Sequence, residues 1–203
     1  MTLQVKISKK LVSYEMAFSF LRKRVELIKK SKKKELIWIL EHPLTFTSGI
    51  RSKKNEILDK KIKINKTNRG GKITLHNPGQ KIVYFALNLN NRKKDIKNLI
   101  KQIELSIINF LKLYKIKSKA DKQNIGIWVK NKNIASIGIR VSNWVAYHGF
   151  SIHINNDLSP CKKIIPCGLD NTKITSIKLE SKVQVLNVEN KLRDIFLENL
   201  KNI

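Results

Sequence analysis

The chain has 203 residues, 41% of them hydrophobic and 28% charged, which is enough to bury one core and too apolar for disorder. No apolar run approaches the roughly 20 residues needed to cross a bilayer, and M-T-L-Q-V-K-I-S-K-K at the N-terminus lacks a signal core, so a cytoplasmic location is expected. The net charge of +27 points to acidic partners, but the lysines are spread along the chain, so the charge reads mainly as compositional.

In chain order, residues 3–7 alternate and predict a strand. Tyr14, Ala17, Phe18, Leu21, Val25 and Ile28 recur at helical spacing and predict a helix over 13–30. Leu36 to Leu40 is a continuous apolar run, a buried strand that stops before Pro43, and a loop carrying Thr47 and Gly49 follows. After Arg69-Gly70-Gly71 come a short strand at 72–75, a turn at Asn77-Pro78-Gly79 and a strand at 81–88. Ile96, Leu99, Ile100, Ile103, Ile107, Phe110 and Leu111 predict a second amphipathic helix. Residues 125–129 and 133–141 read as paired strands about a turn at 130–132, and 146–154 as another strand. Val188, Leu192, Ile195, Phe196 and Leu200 share a face of a C-terminal helix, with Asn187 as its cap.

This order predicts an α/β (α+β) fold, a single domain over 1–203 with a mixed β-sheet flanked by helices. The tight connection at 130–132 excludes a wholly parallel sheet.

Two cysteines, Cys161 and Cys167, are too few for a disulfide scaffold, and with four scattered histidines they give no metal-ligand spacing. Cys161 reads as a small buried side chain. Cys167 sits between Pro166 and Gly168, where one fixed angle and one missing side chain make a tight corner. As a nucleophile it would need a cation, a histidine or a helix N-terminus beside it. R-G-G-K-I-T-L-H-N-P-G-Q at 69–80 is neither a phosphate-binding loop ending in Gly-Lys-Ser/Thr nor a dinucleotide fingerprint. Its adjacent glycines fit a ligand-lining hairpin or an ordinary one. Gly138 and Gly149 interrupt strands, which marks either a close backbone or ligand or a bulge, and His148 lies beside them.

Taken together and in this order, E-H-P at 41–43, T-S-G at 47–49, R-G-G-K-I-T-L-H-N-P-G-Q at 69–80, I-A-S-I-G at 134–138, H-G-F-S at 148–151, and P-C-G at 166–168 with Thr175-Ser176 resemble the lipoyl (octanoyl) transferase family, of the lipoate-protein ligase B type. The resemblance implies the fold of the biotin/lipoate protein ligase catalytic domain. It implies octanoyl transfer from acyl carrier protein to a lysine of a lipoyl domain, those of 2-oxoacid dehydrogenase complexes and the glycine cleavage H protein being the acceptors. Cys167 would be the nucleophile that carries a thioester. Arg69, Gly70, Gly71, Lys72, Ile73, Thr74, Leu75 and His76 would bind the acyl substrate, with Ser136, Ile137, Gly138, Gly149, Phe150 and Ser151. No ATP and no metal would be required, and neither nucleic acid nor membrane would be a partner.

Three departures stand out. The family places a lysine directly before I-A-S-I-G, where this chain has Asn133, with Lys132 one residue earlier. Successive strand residues face opposite sides, so Lys132 could substitute only through a bulge or a shift of register. The family's His-Gly-Pro-Gly-Gln reads His76-Asn77-Pro78-Gly79-Gln80 here, and the usual asparagine of its later strand is His153, an alternative base. A degenerate or non-catalytic acyl-protein binder therefore stands beside the transferase reading. An ATP-dependent lipoate or biotin ligase and a basic nucleic-acid binder stand further off.

Overall fold

The computed structural model describes residues 3–121, 125–165 and 173–203. Among them, a seven-stranded mixed sheet runs β1 (Leu3–Ile7), β2 (Glu35–Leu40), β6 (Gln80–Asn88), β10 (Val145–His153), β9 (Lys132–Ser142), β8 (Gly126–Val129) and β7 (Lys119–Ala120) from edge to edge. The β1–β2 pair is parallel and the other pairs are antiparallel. A three-stranded sheet in the order β4 (Ile64–Lys66), β3 (Thr45–Ser48), β5 (Ile73–His76) stands beside it. The expected loop around Thr47 is thus the central strand of the small sheet. Four residues of mixed polarity carry no periodic signal that would have shown it.

The large sheet is covered on both faces, which explains the unbroken apolar run in β2. Leu36, Trp38 and Leu40 pack under α1 (Tyr14–Lys29), with Ala17, Leu21, Val25 and Ile28 of the helix. Ile37 and Ile39 face the other way, toward α2 (Ile96–Lys112) and the C-terminal helix, where Leu99, Ile103, Ile107, Leu192 and Phe196 close the core. Ser13 and Asp95 cap α1 and α2 by accepting from Met16 N and Asn98 N. Between α2 and the end of the chain lie the one-turn α3 (Ile177–Glu180) and α4 (Val188–Leu200). Asn187 does not cap α4 with its side chain. It adopts a left-handed conformation with φ of 52°, and its carbonyl accepts from Lys191 N.

Two turns set the register around the later strands. Pro78 and Gly79 (φ +86°) form a turn closed by Gln80 N on Asn77 O at 3.1 Å, which starts β6. Asn143 and Trp144, both with positive φ, make the two-residue loop between β9 and β10. That loop sets Gly138 directly opposite Gly149.

A Cβ added at Gly149 would lie 1.9 Å from Val83 O of β6, so backbone would have to move to admit one. Gly149→Ala is expected to cost about 3 kcal/mol or more in urea denaturation. An unchanged midpoint would contradict this packing of β10 on β6.

Candidate active site

The segment joining β4 to β5 carries Arg69-Gly70-Gly71 and lies directly on β9. Gly70 N donates to Ile139 O at 3.1 Å, and a Cβ at Gly138 would sit 3.1 Å from Gly70 O. Arg69 is fixed by donating from Nη2 to Thr47 O and Oγ1, at 3.0 and 2.9 Å, and from Nη1 to Gly70 O. Thr47 is fully buried. The early T-S-G stretch therefore holds the later R-G-G stretch in place. Glu41 plays the same part for the next turn: Oε2 accepts from Gly79 N at 2.7 Å, and Oε1 pairs with Lys81 at 2.6 Å.

Between the two sheets is a cavity of about 200 Å³. Of the residues named from the sequence, Arg69, Gly71, Lys72, Thr74, His76, Asn133, Ser136, Ile137, Gly138, Gly149, Phe150 and Ser151 line it. Gly70 lies behind its wall on β9, while Ile73 and Leu75 point into the small sheet's core with Phe46, Cys161 and Ile164. Cys161 is accordingly buried, as its sequence context suggested. Cys167, with its neighbours Pro166 and Gly168, lies outside the described residues. The chain on either side of it is tied down. Ile165 N donates to Glu56 O at 2.8 Å, and Thr175 N to Asn133 O at 2.9 Å.

Asn133 is buried and its amide is engaged. Nδ2 donates to Ala135 O at 3.0 Å and Ile127 O at 3.4 Å, and Oδ1 accepts from Ser136 Oγ at 3.2 Å. A bulge does occur in the β8–β9 ladder, which pairs Ile127 with Ala135 but Trp128 with Asn133. Ile134 is the extra residue. Lys132, paired with Val129 at the hairpin end, remains exposed and does not line the cavity.

All four histidines are buried. His42 donates from Nδ1 to Val12 O at 2.6 Å, so its Nε2 accepts from Tyr84 Oη at 3.0 Å. His76 lies 5.7 Å from the His42 ring and bonds through Nδ1 to Gln80 Oε1 at 2.7 Å. His148, with φ of 70°, stacks on Phe18 and bonds Asn68 Oδ1 at 2.7 Å. His153 meets Gln80 and Asn156 and lies away from the cavity lining. Burial lowers the pKa of every one: His42 below its usual value, His76 well below it, His148 to about 3 with Arg69 and Arg140 adding to the effect, and His153 to about 4. Burial likewise raises Tyr14 to about 12 and lifts Tyr84 well above its usual value. Tyr14, Tyr84 and Arg51 also line it, with Ile82, Ile125, Trp128 and His148, though nothing in the sequence context of the first three marked them out beyond apolar periodicity for the tyrosines.

The lipoyl protein ligase A/B catalytic domain model matches residues 13–197. The chain belongs to that family. An octanoyltransferase of Wolbachia sp. subsp. Brugia malayi (strain TRS) is 41% identical over 196 residues, covering 94% of this chain and 96% of the relative. The fold matches that of a lipoate-protein ligase A bound with ATP, with a TM-score of 0.79, 15% identity, and coverage of 99% of this chain and 86% of the other. It also matches a bi-partite lipoate protein ligase from Thermoplasma acidophilum, with a TM-score of 0.77, 15% identity and coverage of 99% and 84%. The mixed sheet with flanking helices is therefore the architecture of the ligase catalytic domains.

The histidines make stability depend on pH. Unfolded, each imidazole takes up a proton near its ordinary pKa of about 6.5, whereas folded it resists until lower pH. Their contribution is full above about pH 6.5 and is lost as pH falls toward the values of about 4 for His153 and about 3 for His148. Melting temperature followed by circular dichroism should fall steadily between about pH 7 and about pH 4.5. A flat profile over that window would mean that the histidines are solvated.

Proposed function

We propose that this chain transfers an octanoyl group from acyl carrier protein to a lysine of lipoyl domains, with Cys167 carrying the acyl group between them. The reading is supported by 41% identity to an octanoyltransferase over nearly the whole of both chains, together with the gathering of the R-G-G, I-A-S-I-G and H-G-F-S residues around one cavity.

The chemistry suits those parts. The Cys167 thiolate attacks the thioester carbonyl, a sulfur–carbon bond forms, and the bond to the carrier's sulfur breaks. One thioester replaces another, so no nucleotide is needed to drive the step. The amine of the acceptor lysine then attacks the acyl-cysteine, an amide forms, and the thiolate returns. A covalent intermediate lets two bulky carriers use one cavity in turn. Ile82, Ile137 and Phe150 offer the chain an apolar wall, while Gly138 and Gly149 leave room between the strands. Lipoyl domains of 2-oxoacid dehydrogenase complexes and the glycine cleavage H protein are the proposed acceptors.

Intact-protein mass after mixing with octanoyl-acyl carrier protein should show one octanoyl adduct. The adduct should be absent in Cys167→Ala, present in Cys161→Ala, and discharged by a lipoyl domain. No adduct even at about pH 9, where an unassisted thiol ionises, would refute the transferase reading. With a net charge of +27 on the chain and acidic carriers, raising ionic strength from about 0.05 M to about 0.5 M should slow adduct formation several-fold. A salt-independent rate would remove electrostatic steering from the account.

A further inference from the structure

Tyr14 lines two spaces. One is the cavity between the sheets, and the other is a groove of about 700 Å³ that runs along α1. The helix forms one wall, and residues 65–68 with β9 and β10 form the other. Tyr14, Phe18 and Arg22 are spaced by four residues, so they follow one another along one face of the helix. Phe18 stacks on His148, which lines the cavity, and the Arg22 guanidinium lies 5.7 Å from the Phe18 ring.

The groove is positive. Arg22, Lys23, Lys29, Lys66 and Arg140 line it, against Glu15 and Glu26. Glu26 is already paired with Lys29 at 2.8 Å. Arg22, Lys23, Lys66 and Arg140 are exposed, and among the described residues none of them forms a salt bridge. A neutral donor stands with them. Tyr147, buried on β10, lines the groove and accepts from Asn68 Nδ2 at 2.8 Å, and its own hydroxyl proton has no acceptor among the described residues. Uncommitted cations beside an uncommitted hydroxyl suit a phosphate.

Length selects the occupant. Each helical residue advances about 1.5 Å, which puts Arg22 and Lys23 about 12–14 Å from Tyr14 along the axis. The thioester of an acyl carrier protein hangs on a phosphopantetheine arm. An extended peptide gains about 3.5 Å for every three backbone bonds, so the arm's roughly thirteen bonds from phosphorus to sulfur span about 15 Å. With the thioester at the Tyr14 end of the groove, the phosphate falls beside Arg22 and Lys23. An acceptor lysine reaches only about 6 Å beyond its backbone, so its domain must stand at the cavity mouth rather than far along α1.

We propose that this groove holds the phosphate-bearing arm of the acyl carrier protein, with Arg22 and Lys23 meeting the phosphate and Lys66 and Arg140 lining the opposite wall. This rests on the acyl-transfer reading above. It gives donor and acceptor different approaches to one cavity.

The test is steady-state transfer to a lipoyl domain from three donors: octanoyl-acyl carrier protein, octanoyl-phosphopantetheine, and octanoyl-pantetheine, which lacks only the phosphate. The variant combines Arg22→Gln with Lys23→Gln, both exposed on α1. The control combines Lys101→Gln with Lys112→Gln on α2, which covers the opposite face of the large sheet and loses the same charge. The groove variant should raise KM about fivefold to tenfold for both phosphate-bearing donors and leave kcat within about twofold. Its KM for octanoyl-pantetheine and for the lipoyl domain should not move. Lys66→Gln, on a different element, should act in the same direction, and the control should change no KM by more than about twofold. An equal rise in the control would reduce the effect to net charge. An equal rise for octanoyl-pantetheine would mean a distorted cavity, and a rise confined to the lipoyl domain would give the groove to the acceptor. A rise for the carrier protein alone, with octanoyl-phosphopantetheine unmoved, would place the contact on the carrier's body. Each of these overturns the proposal, as does transfer with every KM unmoved. An unaltered chain that transfers from no donor would sink the acyl-transfer reading and this proposal with it.

Discussion

The site depends on one close approach of backbones. Gly49, Gly70 and Gly138 lie far apart in sequence, yet each meets another segment too closely for a side chain to enter without the neighbour giving way. An added Cβ would lie 2.4 Å from Gly71 O at Gly49, 3.0 Å from Ile139 O at Gly70, and 3.1 Å from Gly70 O at Gly138. These contacts join the small sheet to the large one and leave the cavity between them. Arg69 then converts proximity into a fixed geometry, because a planar guanidinium can satisfy Thr47 and Gly70 at once only in one orientation. The cavity's shape is thus set by backbone and one half-buried cation rather than by interlocking large side chains.

Burial decides the electrostatics of that cavity. Imidazoles removed from water lose their usual role near neutrality and act as polar struts. His42 shows how: its Nδ1–H is committed to Val12 O, so its other nitrogen must accept, and that fixes the Tyr84 hydroxyl proton. Asn77, Gln80, His153 and Asn156 are linked in the same manner beneath the turn at Gly79. Positive charge in the cavity comes instead from Arg51, Arg69 and Lys72, which line it.

The long elements were legible because their patterns are redundant. Five or more apolar residues at helical spacing mark α1, α2 and α4, and the apolar run in β2 can only be a strand covered on both sides. The small sheet was not legible. Thr45–Ser48 and Ile64–Lys66 are too short for a period, and pairing between distant segments makes them strands. The glycines at 70, 138 and 149 were readable as close approaches, but what approached was mostly protein backbone. Glu56 had no signal at all, and Tyr14 only that of an apolar helix face. A single glutamate in a lysine-rich loop looks solvated, and a tyrosine on an apolar helix face looks like core until the opposing cavity is seen.

Asn133 shows why a residue type and the charge once expected at its position can part company. The amide sits in a bulge where two carbonyls and a hydroxyl meet it, so a neutral polar group with both donors and an acceptor is well suited there. An ammonium at the same depth would bring no acceptor for Ser136 and would require desolvation of a full charge. The same position also anchors Thr175 through its backbone carbonyl, a bond indifferent to the side chain. Position 133 can therefore keep its structural duty while giving up its charge.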